Sequence, residues 1–240
     1  MNRVFLKYCV ASSLLFMGFF QKLLGFEVAP SNAGIEKLQK IHSQLKLIHG
    51  SLLDEYPEQL MTATYLPSDA KVLELGGNVG RNSCVIASIL EDSRNLVTVE
   101  SSPIWADEIR INRNYNNLHF RVETGAISKV PLIQKGWITI PSEVNLPGYT
   151  RVRTITFSEL EKKYQISFDT LVADCEGALY YILKDDPNLL KNIKLVIVEN
   201  DYQDEEQKKF VSDLYKQNGL KLIYSADYFE RVGFYQVWKK

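Results

Sequence analysis

Apolar residues along this chain fall into one helical stripe followed by a series of short runs. Ile35, Leu38, Ile41, Leu45 and Ile48 share one helical face, which predicts a helix over 35–49. Pro30 to Gly34 reads as a break before it, and Pro57, Pro67 and Ser68 mark irregular chain after it. From Val72 the rhythm changes. Val72 to Leu75 is a short apolar run closing on glycines, Asn82 to Leu90 has a helical pattern, and Asn95 to Val99 is a second strand ending at Glu100. Ser102-Pro103 opens another helix, with proline in its first turn. Leu118 to Val122 is a third strand. Strands alternating with helices predict βαβ units and a parallel sheet covered on both faces.

Residues 125–157 interrupt that alternation. Trp137 to Ile140 and Val152 to Phe157 are β-like and separated by Pro141, Pro147 and Gly148, so a β-rich insertion, a hairpin, is expected here. Ser158 with Glu161 fits a capping box and starts a helix. Phe168 to Ala173 is a buried strand ending at Asp174, and a helix follows Gly177. Lys194 to Val198 is the next strand, ending at Glu199, and Asp204 to Gln217 is a helix stopped at Gly219. Leu220 to Tyr224 and Gly233 to Trp238 are joined by a short loop and so form an antiparallel pair. The expected fold is α/β, Rossmann-like: a doubly wound, mostly parallel seven-stranded sheet over residues 31–240 with that C-terminal pair and the insertion.

Composition narrows the function classes. Hydrophobic residues make up 45% of 240, enough for a real core. Twenty-eight basic against 29 acidic residues leave a net charge of -1, so no nucleic-acid partner is implied. Cys9, Cys84 and Cys175 are far apart and have no ligand-like spacing, which implies reduced thiols and neither a disulfide framework nor a zinc site. Residues 1–30 form an apolar N-terminal segment. Arg3 and Lys7 precede 14 uncharged residues, Tyr8 to Gln21, and apolar character continues to Phe26. That pattern fits a signal, a membrane anchor through residues 4–26, or a packed helix, and the domain is accordingly cytoplasmic or membrane-associated.

The chemistry gathers at strand ends, where doubly wound sheets bind ligands. Gly76-Gly77-Asn78-Val79-Gly80 follows the first strand. Dinucleotide spacing from Gly76 needs glycine at 78 and 81, where Asn78 and Arg81 stand; from Gly77 it needs glycine at 79 and 82, where Val79 and Asn82 stand. A pyrophosphate turn is therefore not supported. Glu74 is a charge in an otherwise apolar strand, placed to receive the ammonium group of a methionine-type cofactor. Glu100 ends the second strand, 24 residues beyond Gly76, where an acid takes the ribose hydroxyls of adenosine. Asp174 and Glu176 follow the fourth core strand. There a carboxylate accepts a proton, orients an acceptor or holds a metal. Glu199 and Asn200 end the next strand and, with Asp174, offer oxygen ligands for Mg²⁺.

Together these residues resemble the FkbM family of class I S-adenosylmethionine-dependent methyltransferases. The carrying motifs are Glu74-Leu75-Gly76-Gly77-Asn78-Val79-Gly80, with Gly77 at the family's alanine, and Asp174-Cys175-Glu176-Gly177, with Leu179 at the family's last acid. The resemblance runs from about Tyr56 to the C-terminus. It implies S-adenosyl-L-methionine bound by Glu74, Gly76, Gly77, Asn78, Gly80, Glu100, Ser101 and Asp174, with adenine held around Glu123 to Ala126, including Gly125. It implies that Asp174, Glu176 and Glu199 face the acceptor, a hydroxyl of a sugar, glycan or small natural product. Trp137 and Tyr149 of the insertion are candidates for stacking on a sugar face. Two other readings stand beside it. Asp174-Cys175-Glu176 resembles the metal motif of nucleotide-sugar glycosyltransferases, which leaves the glycine turn unexplained. Leu179 and the apolar N-terminus fit a catalytically weak, anchored interaction module.

Overall fold

The computed structural model describes residues 31–240. The N-terminal segment expected as a signal, anchor or packed helix lies outside them. No helix among the described residues is long and apolar enough to cross a membrane.

The first helix, α1, spans Asn32–Gln44 and buries Gly34, Leu38 and Ile41. It starts earlier than the apolar stripe predicts because Ser31 caps it, the Ser31 hydroxyl accepting from the Gly34 amide at 3.1 Å. It also ends earlier, at Gln44 rather than His49. Gly34, expected in a break, lies inside the helix, and a Cβ there would come 2.2 Å from Thr64 Oγ1. It permits close crossing of α2, Tyr56–Tyr65, a helix where the sequence predicts irregular chain. Pro57 sits in the first turn of α2, where a missing N–H costs nothing. Residues Glu58 to Ala63 are all buried, so this helix shows no polar stripe.

Seven strands form the main sheet: β1 Val72–Leu75, β2 Leu96–Glu100, β3 Arg121–Thr124, β9 Thr170–Ala173, β10 Leu195–Glu199, β11 Lys221–Tyr228 and β12 Arg231–Lys239. Their order is β3-β2-β1-β9-β10-β12-β11. All neighbours pair in parallel except β12, which is antiparallel to both β10 and β11. The expected sheet and its C-terminal pair are present. Helices α3 Arg81–Ile89, α4 Pro103–Tyr115, α5 Phe157–Tyr164, α6 Ala178–Asp185 and α7 Glu205–Gln217 complete the order. Two-residue alternation divides the strands between two cores. Val72, Val172 and Ile197 face a core with α1, α2 and α3, whereas Leu73, Leu75, Leu171 and Val198 face one with α5, α6 and α7. Leu179, where the FkbM resemblance would expect an acid, is 2% exposed in that second core and is a packing residue.

Several expectations are revised in detail. The third strand begins at Arg121, not Leu118. The capping box is Thr156 with Glu159, not Ser158 with Glu161. The insertion is more than a hairpin. β5 Leu132–Lys135, β6 Ile138–Pro141 and β7 Thr150–Val152 make an antiparallel sheet in the order β6-β5-β7. β4 Ala126–Ile127 pairs in parallel with β8 Thr154–Ile155 and ties the insertion to the end of β3.

Candidate functional site

The strand carboxyl ends open into a cavity of about 510 Å³. Its position follows from topology. The chain runs outward through β1, β2 and β3, then returns to the other side of β1 with β9 and β10, leaving a crevice at the reversal. The insertion walls one side and the start of α2 another.

On the β2 side the glycine turn and Glu100 form one unit. The Asn78 amide donates to Glu100 Oε2 at 2.8 Å, and the Ser102 amide donates to Oε1 at 2.8 Å. Gly76, Asn78, Glu100 and Ser101 all line the cavity. Burial raises the Glu100 pKa, opposed by the hydrogen bonds from Ser102, Asn78 and Ser101. Asn78 adopts φ 50°, a left-handed conformation that asparagine tolerates, and its side chain donates to Glu55 Oε1 at 3.3 Å. Glu55 also accepts from Arg81 at 2.9 Å.

The glycines are there chiefly for protein contacts. A Cβ on Gly76, at φ +82°, would lie 1.6 Å from the Asp174 carbonyl oxygen. A Cβ on Gly77 would lie 2.3 Å from Thr98 Cγ2, and one on Gly80, at φ +86°, 3.1 Å from Ile109. Gly77 and Gly80 do not line the cavity. Neither does Glu74, which is 3% exposed. It shares the face of Val72 and points at α3, accepting from Ser83 Oγ at 2.5 Å and Thr98 Oγ1 at 2.6 Å. Burial pushes its pKa up to about 7 despite those two bonds. The structure thus sets Glu74 beneath the turn rather than in the cavity.

Beyond β3, Gly125 and Ala126 line the cavity. Gly125 donates to the Glu100 carbonyl at 2.8 Å, and Ala126 donates to the Arg153 carbonyl at 2.9 Å. Glu123 turns away from the cavity, accepting from Lys163 Nζ at 2.5 Å and Tyr164 OH at 2.7 Å. Trp137 lies in the β5–β6 turn and stacks on Trp105 of α4 with ring centroids 4.1 Å apart. Both rings border the cavity. Tyr149 does not, and has Lys135 Nζ 6.0 Å from its ring centroid.

Across β1, the ends of β9 and β10 supply Asp174, Glu176 and Glu199, all on the cavity wall. Asp174 and Glu199 meet Glu58 of α2, with one carboxylate oxygen from each lying within 4.8 Å of the others. Glu58 is 6% exposed, and its buried Oε1 has no hydrogen-bond partner. Burial, then mutual repulsion, raises Glu58 and Asp174 well above the carboxylate range. Burial pushes Glu199 up to about 7. Glu176 stands apart from the trio; burial, then the Asp201 charge, raises it. Of the expected oxygen set, Asp174 and Glu199 border the cavity and Asn200 does not; its Nδ2 donates to the Gly233 carbonyl at 2.7 Å, and Glu58 is the acid that joins the other two.

Glu58 escaped sequence reading because it lies on the unpredicted helix α2. Its one signal is an acid and a glutamine, Glu58-Gln59, running directly into Leu60-Met61. Among the described residues the cavity is lined by seven acids, Glu55, Glu58, Glu100, Asp174, Glu176, Asp185 and Glu199, and by no lysine, arginine or histidine, so it offers negative or neutral acids and no positive charge.

No family model and no curated protein sequence matches the chain. Solved structures do. An O-methyltransferase from Bacillus cereus in complex with SAH aligns with a TM-score of 0.50 at 16% identity, over 89% of this chain and 93% of that one. A protein in the NADB-Rossmann superfamily from Streptococcus agalactiae aligns with a TM-score of 0.50 at 13% identity, over 80% and 69%. The likeness shows the fold, a Rossmann-like α/β fold with a mostly parallel seven-stranded sheet.

Proposed function

We propose that the chain is an S-adenosyl-L-methionine-dependent methyltransferase. The observation that carries this is Glu100, clamped by the Asn78 and Ser102 amides at the sheet reversal inside a cavity bordered by acids and no bases. A carboxylate held by those two amides keeps lone pairs for two ribose hydroxyls once the long 3.4 Å bond from Ser101 Oγ is displaced. The sign of the cavity suits a cofactor carrying a sulfonium and an ammonium group. It opposes a pyrophosphate, which argues against both a dinucleotide and the nucleotide sugar of a glycosyltransferase. The structure of the Bacillus cereus enzyme contains SAH, which supports the same reading.

Gly76, Asn78, Glu100 and Ser101 would hold the ribose and methionine portions, and Gly125 and Ala126 the adenine. Glu74, Gly77 and Gly80 would act one step away by fixing the turn. Bound there, the cofactor supplies an electrophilic methyl group. The protein's part is chiefly alignment of acceptor and methyl donor. Asp174, Glu176 and Glu199 orient the acceptor, and a carboxyl with a pKa of about 7, as at Glu199, can exchange a proton with it near neutrality. The FkbM resemblance of the Glu74–Gly80 and Asp174–Gly177 motifs favours a hydroxyl oxygen as the methylated atom, on a sugar, glycan or small natural product.

Calorimetric titration with S-adenosylmethionine and S-adenosylhomocysteine tests the reading. Saturable binding of both is expected. A folded protein giving no heat at millimolar ligand would refute it and favour a non-catalytic interaction module.

A further inference from the structure

Resting on the methyltransferase reading, we infer that Glu58, Asp174 and Glu199 bind a protonated amino group carried by the acceptor. Three carboxylates converge within 4.8 Å, and no basic side chain borders their cavity. Partners are close by but committed elsewhere. Arg81 pairs with Glu55 at 2.9 Å and Arg231 with Asp201 at 2.5 Å. Glu58 adds an independent sign of a missing ligand. Its Oε1 is buried at the cavity wall and receives no N–H or hydroxyl from the surrounding protein, the one side-chain hydrogen bond of Glu58 being with the carboxyl of Glu199. A primary ammonium has three N–H donors, one for each carboxylate.

The trio lies on the acceptor side. Asp174 and Glu199 end β9 and β10, across β1 from Glu100 and Gly125, so it is separated from the adenosine end of the crevice. Its surroundings favour an organic cation over a metal ion. Tyr235 stands opposite Glu199 in the sheet register, and Tyr228, Phe234 and Tyr235 all border the cavity. The charges of Glu199, Glu58 and Asp174 all act on the Tyr235 hydroxyl, adding to burial in raising its pKa, so that ring lies beside the trio. Tyr228 stacks on Phe234 with centroids 5.2 Å apart. Aromatic faces suit an ammonium. The neighbouring Asp201 is engaged by Arg231 and does not join the trio. The acceptor class is therefore a small hydroxylated amine or amino sugar.

The test compares isosteric pairs on the full chain: glucosamine against glucose, and 2-phenylethylamine against 2-phenylethanol. Each is titrated with and without saturating S-adenosylhomocysteine. At least one amine should bind about tenfold or more tightly than its hydroxyl partner, the range expected for charge-assisted hydrogen bonds. Glu58→Gln and Glu199→Gln should each erase that preference while S-adenosylhomocysteine affinity stays within about twofold. Thermal melts establish that the variants fold, and either variant alone suffices. Equal binding within both pairs overturns the inference. So does micromolar Mg²⁺ binding by chelator-treated protein that both substitutions abolish. Failure of S-adenosylhomocysteine to bind refutes the methyltransferase reading instead, and the amine titrations without it still score the trio.

Discussion

Glu74→Gln isolates the cost of holding an acid under the glycine turn. Glu74 is 3% exposed, and its pKa is pushed from the ordinary 4.5 to about 7. A carboxyl of this kind keeps its proton in the folded chain after the unfolded chain has released it. Between pH 4.5 and about 7 the native state therefore binds more protons, and stability falls as pH rises. The contribution is complete below 4.5 and gone above about 7. At 1.36 kcal/mol per pH unit, the rise corresponds to about 3 kcal/mol, a large part of a typical domain's stability. Glutamine keeps an oxygen for Ser83 and Thr98 but never ionises, so its variant lacks this term. Urea unfolding of both proteins without ligand, from pH 5 to pH 8, measures it. The stability of wild type relative to Glu74→Gln should fall by most of that amount across the range. The common contributions of Glu58, Asp174 and Glu199 cancel in the difference. Curves that run parallel would refute the argument and mean that the two hydroxyl donors stabilise the anion fully.

Gly76→Ala combines a left-handed φ, worth about 1–2 kcal/mol, with a Cβ 1.6 Å from the Asp174 carbonyl oxygen; it should abolish S-adenosylhomocysteine binding and lower the melting temperature. Gly136→Ala, at φ +58° with nothing within 4 Å, should cost only about 1 kcal/mol and leave binding intact in the same titration. Asp174→Asn should abolish methyl transfer from labelled cofactor while calorimetry still shows cofactor binding; full turnover removes Asp174 from the reaction. Glu100→Ala should weaken S-adenosylmethionine and adenosine alike by about tenfold or more, since it loses hydrogen bonds to both ribose hydroxyls, whereas free methionine should be unaffected.

The strand ends were legible because each is an acid or a glycine closing an apolar run, as at Leu75-Gly76, Val99-Glu100, Ala173-Asp174 and Val198-Glu199. A parallel strand buried on both faces leaves that abrupt signature whatever packs around it. Helix α2 left none, because residues Glu58 to Ala63 are buried on every side and Pro57 looks like a break until its place in the first turn is known. The third member of the acid trio was hidden for the same reason. Thr156-x-x-Glu159 and Ser158-x-x-Glu161 fit the same capping pattern, and local sequence does not choose between them. The insertion was recognisable as β-rich, but its strands run only two to four residues, too few for a period to fix their pairing.

The burial of Glu74 and the packing of the glycines change what the turn says about its ligand. Gly76 touches the backbone of Asp174, Gly77 packs against Thr98 and Ile109, and Gly80 packs against Ile109. Those contacts alone require glycine, so the glycines would be needed even if no ligand touched them. What specifies the ligand is the set of acids that the turn fixes in space: Glu100 through the Asn78 amide, and Asp174 through its close contact with Gly76. The motif after β1 and the motif after β9 are distant in sequence but joined by the close approach of Gly76 to Asp174 and by the Asp174 amide donating to the Leu75 carbonyl at 3.0 Å, so a shift of either displaces the other. A cofactor settling on the turn would therefore register the acceptor acids directly. For that reason Gly76→Ala should impair acceptor binding as well as cofactor binding, a joint loss that two independent subsites would not produce.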